Sequence, residues 1–542
     1  MENNFTTAST VSISESGLIW QRLSQLQQAS WALIIFTTCV AVLLPAVITA
    51  VYRLYFHPLR NVPGPKLAAL TNFYAFYWNW IRDEGYSRRF SALHKYYSKI
   101  LSLPATRIIQ VYSKVSDSPI IRIGPNSVHT NQPDDFDVIF KVGSKWKKDN
   151  SFYKYFNGLD AMIDPAQYRT YRSHLAPLYA QRAVNDLAPK LHKDLLSSAA
   201  KMEKSMKTSE AVNMVKVLRT LSTSMILHNL YSHDISLIEY DGYHPFLEAF
   251  EQLMTQSWLF VSYPLPAMLL GFIPGTSFAK FNSSYTTFMK YCKGWNDEDM
   301  RIQRLTENQE LRDSHMKRYL AMNSNDWAKD NVVPNPLNDI FNFVAGGSDT
   351  TSYTLACAFF YILSSPEIYA KLVKELDENV AFIRDTFDYN KIQNLSYLNA
   401  VIKETLRISV PVPGCLPRIV PESGTTLGSV YLPAGTAVSI SQQSISFHET
   451  IFPSPEKFIP ERWLGNEAQR LDKWNVAFSR GPRQCIGTSL AYLELRCVLA
   501  YFLSRFEMAL TGNCGDRLRW VDRFVAVNLD DVAVKLLRDR WN

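Results

Sequence analysis

The stretch that decides the fold lies near the C-terminal end of the chain and reads Phe478-Ser479-Arg480-Gly481-Pro482-Arg483-Gln484-Cys485-Ile486-Gly487. A helical pattern over residues 488–502 follows directly, so Cys485 lies at the N-terminus of a predicted helix. A helix N-terminus and converging backbone N–H groups favour negative charge on sulfur. Glycines on either side of the cysteine leave room for a flat ligand to approach the backbone. The stretch therefore predicts a thiolate that binds a metal.

This signature resembles that of the cytochrome P-450 superfamily of haem-thiolate monooxygenases, and a looser resemblance extends from about Tyr55 to the C-terminus. A lone cysteine is more often an inert core residue, but here the phenylalanine, glycines, arginine and cysteine are all in register. The resemblance implies a mainly α-helical P-450 fold with a small β-rich subdomain. It also implies haem b (iron protoporphyrin IX) as cofactor, with Cys485 as the iron ligand. A thiolate ligand donates electron density to haem iron and favours O–O cleavage.

The length and composition of the chain fit one large globular unit after the N-terminal region. The chain has 542 residues, 47% of them hydrophobic, and no Gly/Ser-rich or Pro-rich linker separates Arg172 from Cys485. The net charge of +7 is spread out, without the dense Lys/Arg tract of a nucleic-acid-binding protein. The seven cysteines are odd in number and lack CxxC spacing. We therefore expect no nucleic-acid partner, no zinc site and no disulfide framework.

An uncharged stretch near the N-terminus predicts a membrane anchor. No charged residue occurs between Arg22 and Arg53, and residues 31–51 form an apolar run that is long enough to cross a bilayer of about 30 Å at about 1.5 Å per residue. More basic residues follow the run than precede it, so the positive-inside rule places the body in the cytosol. The predicted division is a lumenal segment (1–28), a transmembrane anchor helix (29–52), a Pro-rich hinge (53–66) and a haem-thiolate catalytic domain (67–542). A cleaved signal peptide is the alternative.

This topology predicts a single-pass protein of the endoplasmic reticulum membrane. Asn4 begins a glycosylation sequon on the predicted lumenal side. Near residues 98–115 the chain is longer than the family pattern, and Tyr97-Ser98-Lys99 recurs there as Tyr112-Ser113-Lys114. A surface insertion and an error in the gene model are equally good explanations.

The helix predicted over residues 164–175 carries two candidate cofactor contacts. Tyr168 and Arg172 are four residues apart and therefore share one face of that helix. The resemblance implies that they contact a haem propionate, although family members usually have histidine at the position of Tyr168. An ordinary solvated helix face is the alternative. The resemblance implies further cofactor contacts at Arg418, Phe478 and Arg483, with Phe478 beside the sulfur.

A long helix is predicted to begin at Asn335-Pro336 and to end near Ser365-Pro366. It is apolar almost all round, so we expect it to run through the middle of the body. Its centre reads Ala345-Gly346-Gly347-Ser348-Asp349-Thr350-Thr351. Two glycines weaken a helix by about 1 kcal/mol each relative to alanine, which makes sense where the helix must open to make room for dioxygen and water. Asp349 and Thr350, an acid and an alcohol suited to proton delivery, are the predicted catalytic residues.

The reaction implied by the resemblance inserts one atom of dioxygen into a small hydrophobic substrate, by hydroxylation or epoxidation. Its electrons come from NADPH through an NADPH-cytochrome reductase, with cytochrome b5 as a further candidate donor. The style of the motifs resembles fungal microsomal enzymes of secondary metabolism, such as terpenoid or polyketide biosynthesis. A haem-thiolate isomerase or dehydratase that needs no reductase, and a non-catalytic haem-binding protein, are the alternatives. The Asp349–Thr350 pair counts against both.

Overall fold

Most of the described residues lie in helices. The computed structural model describes residues 33–34, 36–102, 120–154, 156, 158–262, 273, 275–305, 336–512, 515 and 517–542. Several predicted features lie outside these ranges. They are the lumenal segment with its Asn4 sequon, residues 103–115 of the insertion, and Asn335 at the start of the long helix.

Most of the longer helices of the body pack around one main apolar core. In chain order they are Phe90–Ser102 (α1), Pro133–Phe140 (α2), Pro165–Leu175 (α3), Ala188–Thr208 (α4), Met214–Leu230 (α5), Pro245–Ser262 (α6), Ser277–Leu305 (α7), Pro336–Val344 (α8), Thr350–Leu363 (α9), Pro366–Glu378 (α10), Ser396–Ser409 (α11) and Thr488–Arg505 (α12). Shorter helical segments are Lys66–Leu70, Phe73–Phe76, Tyr77–Ile81, Tyr86–Arg89, Asn150–Tyr153, Gly158–Ala161, Ala176–Tyr179, Gln181–Asn185, Val380–Arg384, Tyr389–Ile392, Gln442–Ser446, Pro460–Trp463, Ala468–Asp472 and Gly481–Arg483.

The strands are short and form four small sheets. They are Ile120–Gly124 (β1), Ser127–Thr130 (β2), Lys147–Lys148 (β3), Val212–Asn213 (β4), Arg418–Ile419 (β5), Thr425–Leu427 (β6), Val430–Leu432 (β7), Ala437–Ser439 (β8), Phe506–Leu510 (β9), Trp520–Arg523 (β10), Val525–Asn528 (β11) and Ala533–Asp539 (β12). The largest sheet has the order β1-β2-β8-β5-β3, and the others are β10-β11, β4-β12-β9 and β6-β7.

The largest sheet joins distant parts of the chain. Strand β8 pairs in parallel with β2, and β5 pairs antiparallel with both β8 and β3. In the last of these pairs Lys148 lies directly opposite Arg418. The segment before α3 and the segment after α11 therefore meet at one edge of this sheet.

The long central helix consists of α8, a π-helical segment Ala345–Asp349 and α9 in direct succession. Nearly every residue of α9 is buried, and α9 packs against α5, α11 and α12. The helix ends at Leu363 and α10 begins at Pro366, because the residue before a proline is disfavoured in the helical conformation. The prediction of a helix through the middle of the body is confirmed.

A buried ion triad fixes the segment that precedes the cysteine loop. Glu404 on α11 pairs with Arg407 at 2.8 Å and with Arg462 at 3.1 Å. Arg407 also donates hydrogen bonds to the backbone carbonyls of Ser446, Pro455 and Lys457. Because each charge has several partners, breaking the triad leaves uncompensated buried charge. The triad therefore attaches this segment to α11.

The N-terminal helix carries an apolar stretch that the body does not bury. Phe36–Phe56 has a mean hydropathy of 1.9 over its most apolar window, and none of that window is buried. Within the described residues it is the one helix long and apolar enough to cross a membrane. It runs four residues beyond the predicted boundary at 52, and it ends just before His57-Pro58, where the proline disfavours a helical residue ahead of it.

Candidate active site

The cysteine loop is a tight turn that only glycine permits at its centre. Gly481 has a φ of +69°, and a Cβ atom there would lie 2.1 Å from the carbonyl oxygen of Phe140. The backbone N–H of Cys485 donates to the carbonyl of Phe478 at 2.9 Å. Gly487 is the N-cap of α12. The loop therefore holds the cysteine at the N-terminus of α12, where the sequence predicted it.

The thiol of Cys485 is the candidate metal ligand of this loop. The residue is exposed, although its loop packs against the body of the protein. Desolvation within the protein raises the pKa of the thiol, while the backbone N–H of Gly487, the charge of Arg172 and the hydroxyl of Thr488 lower it. The backbone N–H at the helix N-terminus therefore favours the thiolate, and desolvation opposes it. Coordination to a metal deprotonates such a thiol.

Two arginines and a tyrosine lie next to the cysteine. Arg172 donates to the carbonyl of Gln484 and to the hydroxyl of Tyr168, both at 2.7 Å. The guanidinium of Arg483 lies 3.6 Å from the ring centroid of Tyr168, and it donates to the carbonyls of Met162 and Ile163. The structure thus brings together three of the predicted cofactor contacts.

Arg418 joins this group from strand β5. It is buried, and it donates to the hydroxyl of Tyr153 at 3.1 Å. Its charge lowers the pKa of Arg483, which burial chiefly brings down to about 10. Tyr153 was not predicted from the sequence, where its signal is its place just after the strand that pairs with Arg418.

Phe478 lies at the base of the loop. Its carbonyl accepts the hydrogen bond of the Cys485 N–H, and its ring packs 5.5 Å from the ring of Tyr492 on α12. The side chain is partly buried against the main core. It therefore supports the turn that presents the sulfur.

The π-helical segment is the opening that the two glycines predicted. Thr350 donates its hydroxyl to the carbonyl of Gly346 at 2.6 Å. Gly346 is exposed, and apart from its own helix backbone and chain neighbours no atom lies within 4 Å of the position that its Cβ would take. Gly347 is small for another reason, since a Cβ there would lie 2.9 Å from Ile226 on α5. One glycine therefore leaves open space, and the other permits close helix packing.

Asp349 is held by an arginine that the sequence did not reveal. It is 2% exposed, and its carboxylate lies 3.3 Å from Nε of Arg219 on α5. Burial raises the pKa of Asp349, and Arg219 partly opposes this. Arg219 also pairs with Glu251 at 3.2 Å. The acid and the alcohol are thus adjacent in the helix but bonded to different partners.

Tyr179 connects the cysteine loop with the central helix. Its ring stacks on Phe343 of α8 at 5.7 Å. Burial raises the pKa of its phenol, and the nearby Cys485 adds to that rise. The thiol therefore lies near an aromatic side chain that also packs on the N-terminal part of the central helix.

This set of groups fits haem b. One accessible thiol can bind the iron, and Arg172, Arg418 and Arg483 supply the positive charge that two propionates need. The widened helix contributes an acid and an alcohol. Sequence reasoning found these residues by their motifs, but it had no means of finding Arg219, which reaches the site from a different helix.

Comparisons with known proteins agree with this geometry. The family model described as Cytochrome P450 matches residues 108–517. The cytochrome P450 monooxygenase cloA of Claviceps purpurea (strain 20.1) is 68% identical over 514 residues, which cover 95% of this chain and 98% of that protein. A protein of Claviceps fusiformis named inactive cytochrome P450 monooxygenase cloA is 60% identical, covering 97% and 99%. The crystal structure of the cytochrome P450DA haem domain superposes with a TM-score of 0.65 at 16% identity, covering 80% of this chain and 92% of that one.

The predicted family, the P-450 fold and the monooxygenase function are confirmed by these matches, which do not favour the isomerase, dehydratase or non-catalytic alternatives. The family implies haem b as cofactor, a redox partner and a hydrophobic substrate. The chain belongs to the cytochrome P450 family and is a haem-dependent monooxygenase.

Proposed function

We propose that this monooxygenase receives electrons from NADPH through a membrane-bound NADPH-cytochrome reductase and hydroxylates or epoxidises a small hydrophobic compound in fungal secondary metabolism. The observation that carries the proposal is the accessible thiol of Cys485 at the N-terminus of α12, combined with an acid and an alcohol at the π-helical segment. The relative from Claviceps purpurea, named as a cytochrome P450 monooxygenase, supports the fungal assignment.

Cofactor binding is assigned to the groups around the cysteine loop. Haem, when bound, supplies the activation of dioxygen. Cys485 is the proposed iron ligand, and Arg172, Arg418 and Arg483 neutralise the propionates. Tyr168 orients Arg172 through their hydrogen bond of 2.7 Å. Phe478 keeps water away from the base of the loop, as its partly buried position supports.

Proton handling is assigned to Asp349 and Thr350. Because burial raises the pKa of Asp349, its carboxyl can carry a proton nearer to neutral pH than an exposed aspartate. Arg219 holds this carboxyl on the α5 side of the helix. Release from Arg219 lets the carboxyl deliver a proton toward the open space beside Gly346, where the Thr350 hydroxyl lies.

The proposed location is the endoplasmic reticulum membrane, with one span and a cytosolic body. The apolar helix Phe36–Phe56 supports an anchor. Basic residues after the anchor outnumber those before it, which supports the orientation. A glycan at Asn4 on the lumenal side, and cytochrome b5 as a second electron donor, belong to the same proposal.

The reductase is proposed to dock near the cysteine loop, where Lys473, Arg480 and Arg496 offer positive charge. Arg480 already pairs with Asp137 at 2.6 Å, and Arg496 bonds Asn399 at 2.9 Å. Lys473 is exposed, so its charge is the most accessible to a partner. Lys473→Glu should therefore slow reduction at low salt more than Arg496→Glu does.

The proposal is tested with membranes that contain the full-length protein and a fungal reductase. We expect NADPH to be consumed when the substrate pool of a producing fungus is added, and one oxygenated product to appear. Asp349→Asn should consume NADPH more slowly and form less product. Product formation without NADPH would contradict the proposal and favour a reductase-independent isomerase.

A further inference from the structure

A large cleft lies apart from the residues around the cysteine loop. It has a volume of about 1010 Å³, close to the upper end of the range of about 300–1,000 Å³ for small-molecule sites. Its walls come from α1, α9, the end of α11, the segment after β8 and the start of β10. Its lining includes none of Cys485, Gly346 and Thr350. The cleft therefore shares none of these residues with the candidate active site.

One face of α1 and of the turn before it forms a polar wall of this cleft. The lining residues there are Arg88, Ser91, Lys95 and Ser98, which are three or four positions apart and therefore on one side of the helix. All four are exposed. Arg88 donates to the carbonyl of Trp520 at 2.9 Å. Within the described part of the chain neither Arg88 nor Lys95 pairs with a carboxylate, so both positive charges are available to an anion.

A buried histidine adds a neutral donor to the same wall. The backbone N–H of Ser441 donates to Nε2 of His129 at 3.1 Å. Nδ1 of His129 therefore carries a hydrogen, which it donates to Nε2 of His94 at 2.8 Å. His94 lines the cleft, and because its Nε2 accepts, its own hydrogen is on Nδ1. Burial lowers the pKa of His94 to about 4, so this wall contains N–H and O–H donors and no negative charge.

Aromatic rings and one unpartnered hydroxyl form much of the remaining lining. The rings include those of Tyr353, Tyr361, Phe447 and Trp520. Burial raises the pKa of Tyr353 and the charge of Arg88 lowers it, so the guanidinium lies close to these rings. The hydroxyl of Ser409 lines the cleft as well, and although the residue is 4% exposed, this oxygen has no hydrogen-bond partner. Because buried polar groups normally have partners, the hydroxyl indicates a ligand.

Positive charge exceeds negative charge in the cleft. Its lining contains two carboxylates, Glu449 and Glu456, and four cations, Arg88, Lys95, Arg517 and Arg519. Glu456 already pairs with Arg517 at 2.5 Å. Arg519 pairs at 2.5 Å with Asp530, which lies outside the lining. Even with Asp530 counted, the cations outnumber the carboxylates, and this balance favours an anionic ligand.

We propose that this cleft is a second ligand site of the protein, which binds a small organic anion with an aromatic body. Arg88 and Lys95 hold the anionic group by charge-assisted hydrogen bonds. The aromatic rings contact the body of the ligand, and the hydroxyl of Ser409 supplies a polar contact at the buried end. The inference does not depend on the proposed reaction, because the cleft is lined by other residues than the site around Cys485.

The test measures binding of 2-naphthoate, an aromatic carboxylate, to the full-length holoenzyme in nanodiscs of neutral lipid. Equilibrium dialysis should show saturable binding. The neutral 2-naphthamide, which has the same shape, should bind about tenfold more weakly, the size expected from loss of one charge-assisted hydrogen bond. Lys95→Glu should weaken binding of 2-naphthoate at least as much, and Lys95→Arg should retain it. Lys204→Glu reverses the charge of an exposed lysine on α4 outside the cleft and should match the wild type.

A bulky azole that coordinates the haem iron distinguishes the cleft from the haem site. The Soret band reports that the azole is bound, and 2-naphthoate should then bind as tightly as before. The same band shows whether each variant is folded around its haem; if Lys95→Glu is not, Lys95→Gln, which removes the charge without reversing it, takes its place. Displacement of 2-naphthoate by the azole would overturn the proposal. Absence of saturable binding, equal binding of the amide, or equal affinities in the Lys95 and Lys204 variants would overturn it too.

Discussion

Substituting Gly481 with alanine tests how the turn presents the cysteine. Gly481 has a φ of +69°, and an added Cβ would lie 2.1 Å from the carbonyl oxygen of Phe140 and 3.2 Å from that of Lys141. Neither atom can move without shifting the end of α2 and the residue after it. Gly465 is a matched control, because its φ is +79° and nothing lies within 4 Å of an added Cβ.

The two substitutions separate backbone strain from steric overlap. Left-handed backbone costs a residue with a Cβ about 1–2 kcal/mol, so Gly465→Ala should destabilise the protein by about that amount. Gly481→Ala carries the same strain and, in addition, an overpacking cost of about 1–3 kcal/mol. Since relief of the overlap displaces the loop, the cysteine should also lose its place at the N-terminus of α12.

The assay heats each holoprotein and records how much of the red-shifted Soret peak of its reduced carbon monoxide complex survives. Gly481→Ala should lose half of that peak at a clearly lower temperature than Gly465→Ala, and it should begin with a smaller peak. Equal half-loss temperatures, with full initial peaks for both variants, would refute the reasoning that links the glycine to the position of the sulfur.

Three further predictions concern buried carboxyls and the widened helix. Arg219→Met removes the cation that opposes the raised pKa of Asp349, so the midpoint of the pH profile of turnover should move to higher pH; an unchanged midpoint would contradict this assignment. Thr350→Ala should keep consuming NADPH but form less product for each NADPH consumed. If the variant forms as much product per NADPH as the wild type, the hydroxyl has no part in proton delivery. Burial raises the pKa of Asp339 to about 8. The folded chain therefore keeps a proton that the unfolded chain releases above about pH 4. The free energy of unfolding consequently falls as the pH rises from about 4 to about 8. Asp339→Asn retains the acceptor for the N–H of Leu159; its stability advantage in urea unfolding should therefore grow from pH 4 to pH 8, and a constant advantage would exclude this titration.

Sequence patterns predicted those parts of the site in which the interacting residues are close neighbours in the chain. The position of Cys485 followed from a glycine-rich turn before a helix, and the Tyr168–Arg172 contact followed from their spacing of one helical turn. Two adjacent glycines indicated an opening in the central helix, and the structure has a π-helical segment there. In each of these features, the residues that interact are close neighbours in the chain.

Contacts between segments that are distant in the chain could not be predicted from the sequence. Arg219 reaches Asp349 because α5 packs on the central helix, and Lys148 meets Arg418 because two short strands pair at a sheet edge. No local periodicity encodes either pairing. The desolvation that raises the pKa of Cys485 could not be predicted either, because it depends on tertiary burial and not on the residues beside the sulfur.

The central claim is that the sulfur of Cys485 is the iron ligand. The most direct measurement is the absorption spectrum of the dithionite-reduced holoprotein after addition of carbon monoxide. We expect a Soret peak shifted far to the red in the wild type, and loss of that peak in Cys485→Ser with haem still bound. A wild type without the shifted peak, or a serine variant that keeps it, would contradict the claim.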